Sequence, residues 1–425
     1  MQRTPAGLPS GIPGIGLDMD GAIQHAPQPT RHSMVMASGQ SYNAMHHTAE
    51  VKAMPITVTD QTVLQQLPAA LERKKFLTKD FKGLEYYHAI DDWKHIPRGT
   101  AVFGEQVVFG YPHIGRVLAL EAGLKAHFQA PFWAEEKING FNVRIARIGD
   151  KIVALTRGGF ICPFTTDRLP DLMPLEIFQK EPGIIVCAEV AGPDNPYLES
   201  YPPFVKTDIQ LFVFDLMAVG KPGFFPYEEK LTLLEKYSLP SVPRFGRFEI
   251  ENVEAIRHLI LDLHQKWHEG IVFKEDSERD HRAKYVTGNS NIDDIRAAAD
   301  NLMELPPEYF TNRLLRLALF LEENGLTASA TMKQDLGGAF LDGLHRAVEH
   351  YRREHRVYTT FRCRFREKEN AELMLNHLKR ASRRIKIVQR DLHQEEGHWL
   401  LEFDRIYPHL TGMLGDLLSG RMIFD

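Results

Sequence analysis

The sequence predicts an α+β protein in which a strand-rich region is followed by a helix-rich region. Three observations support this fold class. The length of 425 residues suggests two to four domains. The middle of the chain contains short apolar runs separated by glycine turns, a pattern typical of antiparallel strands. After about residue 301, the apolar residues recur instead at helical spacing.

The bulk composition narrows the class of protein. Hydrophobic residues make up 43% of the chain and charged residues 25%, which is typical of a soluble globular protein. Because the formal net charge is −5, any nucleic-acid surface must be a local basic patch. Cys162, Cys187 and Cys363 are too dispersed for a disulfide framework or a thiolate zinc site, and they suit a reducing compartment. No apolar run reaches membrane-spanning length, and no signal peptide is recognisable. We therefore expect a cytoplasmic protein with no membrane partner.

The first 130 residues are expected to contain an extension and a small domain. Residues 1–50 are rich in Pro, Gly, Met, Ser and His without periodicity, which predicts a disordered extension. Residues 51–130 are expected to form a small α+β domain without a recognisable chemical motif. Its predicted elements are a helix from Asp60 toward Lys75 and strands at 100–103, 106–109 and 114–120.

Residues 131–301 are expected to form the main domain. A hairpin is predicted around the turn Gly149-Asp150, because apolar residues alternate on both sides of it. Further strands are predicted at 184–190, 211–217 and 269–274, and a helix at 253–268.

The polar stretch from Glu135 to Arg144 is the most informative part of this domain. Lys137 follows a short apolar run, and Gly140 comes three residues later. A lysine at a strand end beside a glycine turn can contact a ligand phosphate or act as a nucleophile. Taken alone, the stretch is more typical of a solvated hairpin turn.

Five further polar motifs follow in the same domain. They are Arg157-Gly158-Gly159, Glu189-Val-Ala-Gly, Phe212-Val-Phe-Asp215, Glu269-Gly-Ile-Val-x-Lys274 and Arg282-x-Lys284. Each has an ordinary explanation by itself. Glu189 and Asp215 are compatible with surface ion pairs, and Phe212 with a core position. Lys274 and Lys284 are compatible with edge strands, where lysines prevent strand pairing.

Together and in this order, the six motifs resemble those of the lysine-dependent nucleotidyltransferases, the superfamily of ATP-dependent ligases and capping enzymes. The stretch from Glu135 to Arg144, with Glu-Val-Ala-Gly-Pro-Asp-Asn-Pro-Tyr at 189–197, is most similar to the archaeal-type homodimeric ATP-dependent RNA ligases. The resemblance covers the chain from approximately residue 70 to its end. It implies an ATP-grasp-like nucleotidyltransferase domain of antiparallel sheets with helices at 131–301.

The resemblance also implies a reaction and roles for named residues. In this family a lysine forms an adduct with AMP, the AMP passes to an RNA 5′-phosphate, and a 3′-hydroxyl displaces it. The co-substrate would be ATP, the metal Mg²⁺ or Mn²⁺, and the partner single-stranded RNA with a 5′-phosphate. Lys137 would be adenylated, Glu135 would read the adenine edge, and Phe212 would stack on the ring. Glu189 would bind the ribose hydroxyls, with Arg144 and Arg157 near the ribose and phosphates. Lys274 and Lys284 would hold the phosphates, and Glu269 would act on the metal or its waters.

The proposed nucleophile has a chemical requirement. Only a neutral lysine attacks phosphorus, and an unperturbed lysine with a pKa of about 10.4 is neutral in roughly one molecule per thousand near pH 7.4. Nearby cations or a metal are therefore expected to lower the pKa of Lys137. Lys274, Lys284 and Arg144 are the candidates.

The sequence departs from the family pattern at two positions. Asn139 stands where the superfamily often has an acid, which weakens a metal-binding role there. Arg282 stands where many relatives have a lysine, and arginine keeps the charge but changes the donor geometry.

The last part of the chain is expected to contain a helical segment and an α+β domain. Residues 302–356 contain two predicted amphipathic helices, at 308–323 and 332–351, whose apolar faces suit packing on the main domain or on a second subunit. The resemblance implies a homodimer. Residues 357–425 are predicted to contain strands at 359–365, 385–388 and 398–403 and a helix at 369–384.

Basic residues are frequent in this last region. They are Arg352, Arg353, Arg356, Arg362, Arg364, Lys379, Arg380, Arg383, Arg384, Lys386 and Arg390. RNA contact and an ordinary solvated surface explain them equally well.

Two other classes of function remain open on the sequence. A DNA ligase or another lysine-dependent nucleotidyltransferase, such as a GTP-using capping enzyme, would normally carry an oligonucleotide-binding barrel after the last motif, where this chain has helices and an α+β domain. An inactive RNA-binding relative would have no reason to keep Lys137, Glu269, Lys274 and Lys284 together. ATP-dependent ligation of RNA is therefore the preferred function.

Overall fold

The structure, a computed structural model, describes residues 15–17, 23–25, 60–381 and 385–422. In chain order its strands are β1 (Ile15–Leu17), β2 (Ile23–His25), β3 (Phe76–Phe81), β4 (Leu84–Ala89), β5 (Ala101–Phe103), β6 (Gln106–Val108), β7 (Gly115–Arg116), β8 (Phe132–Lys137), β9 (Phe141–Ile148), β10 (Lys151–Thr156), β11 (Ile184–Ala191), β12 (Gln210–Ala218), β13 (Arg244–Phe248), β14 (Gly270–Glu275), β15 (Arg282–Val286), β16 (Tyr358–Phe365), β17 (Lys386–Glu395) and β18 (His398–Ile406). Its helices are α1 (Asp60–Glu72), α2 (Leu120–His127), α3 (Pro163–Leu172), α4 (Ile177–Lys180), α5 (Tyr227–Lys236), α6 (Val253–Gln265), α7 (Gly288–Ala298), α8 (Glu308–Glu323), α9 (Ala330–Glu354), α10 (Lys368–Ala381) and α11 (Pro408–Leu418), with a 3₁₀ helix at Ala299–Glu304.

Two sheets form the centre of the protein. The first has the order β10-β9-β11-β12 and is antiparallel throughout. The second has the order β13-β8-β14-β15-β7, in which β7 runs parallel to β15. Strand β9 is buried on both faces: Phe141, Val143 and Ile145 belong to one core, and Ala146 and Ile148 to another. The mixed α+β fold class predicted from the sequence is confirmed.

The chain passes from the second central sheet to the first between β8 and β9. Strand β8 ends at Lys137, and β9 begins four residues later at Phe141. Gly140 permits this passage, because a Cβ atom there would lie only 2.5 Å from the carbonyl oxygen of Val190. Lys137 is therefore held at the junction of the two sheets.

The terminal parts of the chain cover opposite faces of the first central sheet. The N-terminal sheet, with the order β3-β4-β5-β6, packs on the face that carries Ala146. The C-terminal sheet, with the order β16-β18-β17, packs with α10 and α3 on the other face. The rings of Phe164 in α3 and Phe365 in β16 lie 5.4 Å apart. Asp167 in α3 also accepts a hydrogen bond of 2.6 Å from the side chain of Asn370 in α10. These contacts dock the C-terminal part against the main domain.

Helices α7, α8 and α9 form a layer beside the second central sheet. The core of this layer contains Ile292 and Ile295 of α7, Phe310 and Leu317 of α8, and Ala339 of α9. No helix within the described residues is long and apolar enough to cross a membrane.

Most of the predicted elements are present, and one difference has a local cause. The strand predicted at 114–120 is reduced to β7, because Leu120 begins α2. Val117, Leu120 and Leu124 then lie in one buried core, so their spacing reflects a helix entry rather than strand alternation.

Some predictions fall on parts of the chain that the structure does not describe. The disordered extension predicted for residues 1–50 lies outside the described residues, apart from the antiparallel pair β1 and β2. The helix predicted at 369–384 is α10, which ends at Ala381, and residues 382–384 lie outside the described residues.

Candidate active site

Lys137 and Glu269 lie side by side where two neighbouring strands meet the cavity. Lys137 is the cross-strand partner of Gly270, so Glu269 is the residue just before that pair. The Nζ of Lys137 lies 2.7 Å from Oε1 of Glu269. Burial raises the pKa of Glu269, and the charge of Lys137 partly opposes this effect. Gly270 is required next to Glu269, because a Cβ atom there would lie 2.1 Å from the carbonyl oxygen of Tyr285.

A cavity of about 630 Å³, a volume that includes its opening to solvent, lies beside Lys137. Its lining residues are Tyr111, Ile114, Glu135, Glu136, Lys137, Ile138, Asn142, Arg157, Glu189, Phe214, Val242, Val272, Lys274 and Lys284. The structure thus brings Glu135, Lys137, Arg157, Glu189, Lys274 and Lys284, all predicted site residues, to one cavity. Glu269 borders it through Lys137.

The carboxylate of Glu135 is the centre of a buried network at one side of the cavity. Oε1 accepts hydrogen bonds from the hydroxyl of Tyr227 at 2.7 Å and from the ammonium of Lys230 at 2.5 Å. The Nζ of Lys274 lies 2.5 Å from Oε2. Burial opposes ionisation of Glu135, but Lys274 and Lys230 outweigh it and hold the pKa of Glu135 below its usual value. Burial also lowers the pKa of Lys230 to about 8. Glu135 is thus held ionised on the cavity wall.

Asp215 is the second anion of this network. It accepts hydrogen bonds from Lys274 at 2.9 Å, from the hydroxyl of Tyr111 at 2.7 Å, and from Arg282. Burial opposes ionisation of Asp215, but Arg282 and Lys274 hold its pKa well below the usual range. The ammonium of Lys274 is therefore shared between two carboxylates. The guanidinium of Arg282 is shared between Asp215 and Asp280.

The structure corrects the predicted position of Arg144. We expected it to approach the ribose and phosphates, but its side chain is completely buried and does not line the cavity. It donates hydrogen bonds to the carbonyl oxygens of Gly99 at 2.9 Å, Thr156 at 3.0 Å and Phe109. The reason is that β9 is buried on both faces, and Arg144 lies on the face covered by the N-terminal domain. Arg144 therefore ties that domain to the first central sheet.

The phenylalanine on the cavity wall is Phe214 rather than the predicted Phe212. Phe214 lines the cavity and packs edge-on against Tyr111, with ring centroids 5.4 Å apart. Phe212 points in the same direction two residues earlier, but it lies in an adjacent apolar cluster with Ile138 and Val242. Phe212 supports the wall, and Phe214 presents a ring to the cavity.

Three other predicted residues reach the cavity from different strands. Glu189 on β11 is the cross-strand neighbour of Asn142, which also lines the cavity. Lys284 on β15 is the neighbour of Val272. Arg157 follows β10, and its guanidinium lies 3.1 Å from Nδ1 of His113. Each of the two central sheets thus contributes both acidic and basic side chains to one cavity.

A second, smaller cavity of about 290 Å³ lies on the other side of Lys137. Glu136, Lys137 and Ile138 line both cavities. Burial raises the pKa of Glu136 to about 7, and its Oε1 lies 2.7 Å from Nδ1 of His268. Asn139, at the position where the family often has an acid, donates a hydrogen bond of 3.1 Å to the hydroxyl of Ser200.

Several functional candidates leave no recognisable pattern in the sequence. Tyr227 and Lys230 lie on α5, where charged residues alternate with leucines and a solvated helix face is the natural interpretation. Lys230 is nevertheless 1% exposed. Tyr111 precedes the first motif and belongs to no recognisable pattern. Phe214 had a usable signal, because it lies next to Asp215 inside a predicted motif.

The described residues include one donor that fits a magnesium ion. Oε2 of Glu269 is buried and has no hydrogen-bond partner among them, and carboxylate oxygens are ligands that Mg²⁺ prefers. Residues 60–381 and 385–422 contain no group of three or more histidine, cysteine, aspartate or glutamate side chains that could hold a metal ion. Glu269 fits a site in which phosphates and waters complete the coordination.

The basic residues of the C-terminal domain are largely engaged in ion pairs. Arg356 lies 2.8 Å from a carboxylate oxygen of Glu354 and 3.4 Å from one of Asp404. Arg390 lies 2.5 Å from Asp404, and Arg362 lies 2.9 Å from Glu395. Much of the positive charge that the sequence places in this domain is therefore compensated locally.

Comparisons with known proteins agree with this geometry. Residues 130–286 match the family model described as RNA ligase, and residues 297–421 match the model described as the C-terminal region of the ligase Pab1020. An uncharacterized protein of Methanocaldococcus jannaschii is 28% identical over 326 residues, which cover 75% of this chain and 82% of that protein.

Solved structures extend the match to most of the chain. A protein of Aquifex aeolicus, named "Putative ATP-dependent DNA ligase", is 50% identical, with a TM-score of 0.82, and the match covers 85% of this chain and 100% of that chain. A structure named "Archaeal ATP-dependent RNA ligase - form 1" is 28% identical, with a TM-score of 0.76, over 84% of this chain and 96% of that chain. The matches in sequence and in structure agree, and the chain belongs to the archaeal-type ATP-dependent RNA ligase family.

Proposed function

We propose that this protein is an ATP-dependent RNA ligase that joins the 5′-phosphate and 3′-hydroxyl ends of single-stranded RNA, including the two ends of one strand. The position of Lys137 carries the proposal. Its side chain lines the cavity, and its ammonium lies 2.7 Å from the carboxylate of Glu269. A nucleophile next to a proton acceptor is the arrangement that covalent catalysis requires.

In the first step, Lys137 attacks the α-phosphorus of ATP. A nitrogen–phosphorus bond forms, and the bond to the departing pyrophosphate breaks. The ammonium must first lose a proton, and Oε1 of Glu269 is within hydrogen-bond distance to accept it. The burial that raises the pKa of Glu269 also makes its carboxylate a better proton acceptor. We assign this proton transfer to the pair.

The bound nucleotide would be held by residues on the cavity wall. Glu135 and Glu189 accept hydrogen bonds from the adenine edge and the ribose hydroxyls, and Phe214 packs against the base. Lys284 and Arg157 provide positive charge for the phosphates. Phosphoryl transfer depends mainly on such positioning and electrostatics. Because Lys274 is shared between Glu135 and Asp215, we assign it to orienting Glu135 as well as to the phosphates.

In the later steps, the AMP moves to the 5′-phosphate of RNA, and the 3′-hydroxyl then attacks that phosphate and releases AMP. A magnesium ion, with manganese as a substitute, would neutralise charge on the phosphates when bound. The buried Oε2 of Glu269 is the protein oxygen that would contact the ion or its waters. The cysteines are free and buried, which suits the reducing cytoplasm that we propose as the location.

A DNA ligase is the second candidate function, because the similar Aquifex aeolicus protein is named for DNA. The two functions are separated by incubating the protein with ATP, magnesium and a 5′-labelled single-stranded RNA, and in parallel with DNA of the same sequence. We expect circular or joined RNA. Products formed from DNA alone would replace the RNA assignment with the second candidate.

We also propose that two copies associate through α8 and α9. Helix α8 buries one side within the protein, but Leu315 and Leu319 on its other side are exposed, as is Leu341 on α9. Leu341 is 68% exposed, and the proposal is that these side chains are covered by the second copy. Light scattering at micromolar concentration should give the mass of a dimer. The double substitution Leu315→Glu and Leu341→Glu should give a monomer, and a monomeric wild type would contradict the proposal.

A further inference from the structure

A groove of about 770 Å³ lies beside the nucleotide cavity, at the outer edge of the second central sheet. Two segments line it, residues 112–117 and residues 279–283, together with His127 and Phe224. Ile114 lines both the groove and the nucleotide cavity, so the two spaces adjoin.

The charged groups of the groove are mostly cationic. Its basic lining residues are Arg116, Arg279, Arg282, His113, His127 and His281. The acid among them is Asp280, and it lies 2.9 Å from Arg282. Arg282 is also paired with Asp215, so two carboxylates compensate its charge. Arg116 and Arg279 are then the arginines whose charge faces the groove. Arg279 is 45% exposed and lies 3.8 Å from its nearest carboxylate oxygen, on Glu275.

Positive charge continues from the groove into the nucleotide cavity. Arg116 on β7 is the cross-strand neighbour of Lys284 on β15, and Lys284 lines the nucleotide cavity. A further arginine, Arg316 on α8, lies close enough to be influenced by Arg116. Burial, together with the charges of Arg116 and Arg313, lowers the pKa of Arg316 to about 10. Arginines that repel each other in this way form a favourable place for an anion.

The other neighbour of the nucleotide cavity has the opposite character. The smaller cavity beyond Lys137 is lined by Glu136, Glu269 and Asp293 as well as by Lys137. Its three acidic groups outnumber its one lysine, so a phosphodiester chain meets less favourable charge there than in the groove. Of these two spaces beside the nucleotide cavity, the groove is therefore the better path for an RNA strand.

We propose that this groove binds the phosphate backbone of the RNA strand whose 5′-phosphate accepts AMP, with Arg116 and Arg279 contacting phosphates. The inference rests on the proposed function, because it assigns a path to the RNA of that reaction. Arginine suits the task, since its planar guanidinium can donate two parallel hydrogen bonds to one phosphate. The histidines along the groove supply further donors.

The test measures the binding of a 5′-phosphorylated single-stranded RNA oligonucleotide by fluorescence anisotropy, without ATP, over a series of salt concentrations. For single strands, each neutralised phosphate contributes about 0.7 to the slope of log K against log salt. The double substitution Arg116→Ala and Arg279→Ala should therefore reduce the slope by about 1.4 and weaken binding at least tenfold at low salt. Arg147→Ala, at an exposed turn at the end of β9, is the matched control and should bind like the wild type.

Two further measurements distinguish the proposal from its alternatives. Formation of lysine–AMP by the double variant should stay within about twofold of the wild type, which also shows that the variant is folded. The pair Arg116→Lys and Arg279→Lys, which keeps the charge, should retain the wild-type slope. An unchanged slope in the alanine variant would overturn the proposal. So would a parallel loss of lysine–AMP formation and pyrophosphate exchange, because the groove would then serve the phosphates of ATP. A wild type that binds RNA but forms no lysine–AMP would remove the proposed function and leave the groove assignment standing.

Discussion

The Nζ of Lys137 and Oε1 of Glu269 are 2.7 Å apart and form an ion pair. The pair joins the last residue of β8 to the residue that precedes β14. It gives the proposed nucleophile a built-in proton acceptor.

The substitution Glu269→Gln keeps the size of the side chain and removes its charge. We expect formation of lysine–AMP to slow by about two orders of magnitude or more, the scale of a lost general base. Single-turnover labelling with ATP measures this directly. The matched control is Glu254→Gln, a 75% exposed glutamate on α6, which should leave the rate unchanged. A Glu269→Gln variant as fast as the wild type would remove the proton-acceptor role.

Asp215 is expected to be important for stability. Asp215→Asn leaves Lys274 and Arg282 buried with one anion fewer, which should cost about 3–5 kcal/mol in the free energy of unfolding. Urea denaturation at pH 7 measures the loss. Asp262→Asn, which breaks a pair with Lys266 in which both side chains are more than half exposed, should cost less than about 1 kcal/mol.

The loss of stability caused by Asp215→Asn should depend on pH in a defined direction. Because the folded-state pKa of Asp215 is below its ordinary value of 3.8, its stabilising contribution is present above that value and is lost as the pH falls through the folded-state pKa. The difference between wild type and Asp215→Asn should therefore be constant above pH 4 and shrink in stronger acid. A difference that grows on acidification would contradict the ionised assignment.

The contribution of Glu136 to stability should depend on pH in the opposite direction. Its folded-state pKa is raised by burial from 4.5 to about 7, so its stabilising contribution is present below pH 4.5 and is lost as the pH rises to about 7. Glu136→Gln imitates the neutral form. At pH 8 it should be more stable than the wild type by up to about 3 kcal/mol, and at pH 4 the two should be nearly equal. Thermal or urea unfolding at both pH values measures this, and a pH-independent difference would show that Glu136 is ionised throughout.

Arg144 and Arg157 should respond differently to substitution. Arg144→Ala leaves the carbonyl oxygens of Phe109, Gly99 and Thr156 without a buried donor, and we expect a loss of about 3 kcal/mol or more in unfolding free energy. Arg157→Ala, on the cavity wall, should instead raise the KM for ATP with little change in stability. If both substitutions raised the KM for ATP equally, Arg144 would have to act at the nucleotide site, against the assignment made here.

The strands and the order of the polar motifs are predictable from the sequence, because strand ends and glycine turns leave local patterns. Part of the cavity could be assembled from those motifs, since Lys137 ends β8, Arg157 follows β10 and Glu269 precedes β14. The side of a doubly buried strand that faces the cavity is not predictable. Arg144 on β9 shows this, because apolar residues flank it on both sides and no alternation marks the ligand face.

Residues that reach the site from outside the motifs could not be predicted from the sequence either. Lys230 on α5 can be buried because its ammonium donates hydrogen bonds to Glu135 and to the carbonyl oxygen of Phe214 in the folded protein. Helix α7 was not predicted because its first turn contains Asn289, Ser290 and Asn291. These polar residues are buried, and they hide the apolar period that marks a helix.

The central claim is that Lys137 carries AMP and passes it to RNA. The most direct test incubates the protein with ATP labelled on its α-phosphate and follows the label on a denaturing gel. The account predicts a labelled wild-type protein that loses its label on addition of 5′-phosphorylated RNA, an unlabelled Lys137→Ala variant, and a labelled Lys266→Ala control. A wild type without label, or a Lys137→Ala variant that keeps it, would contradict the account.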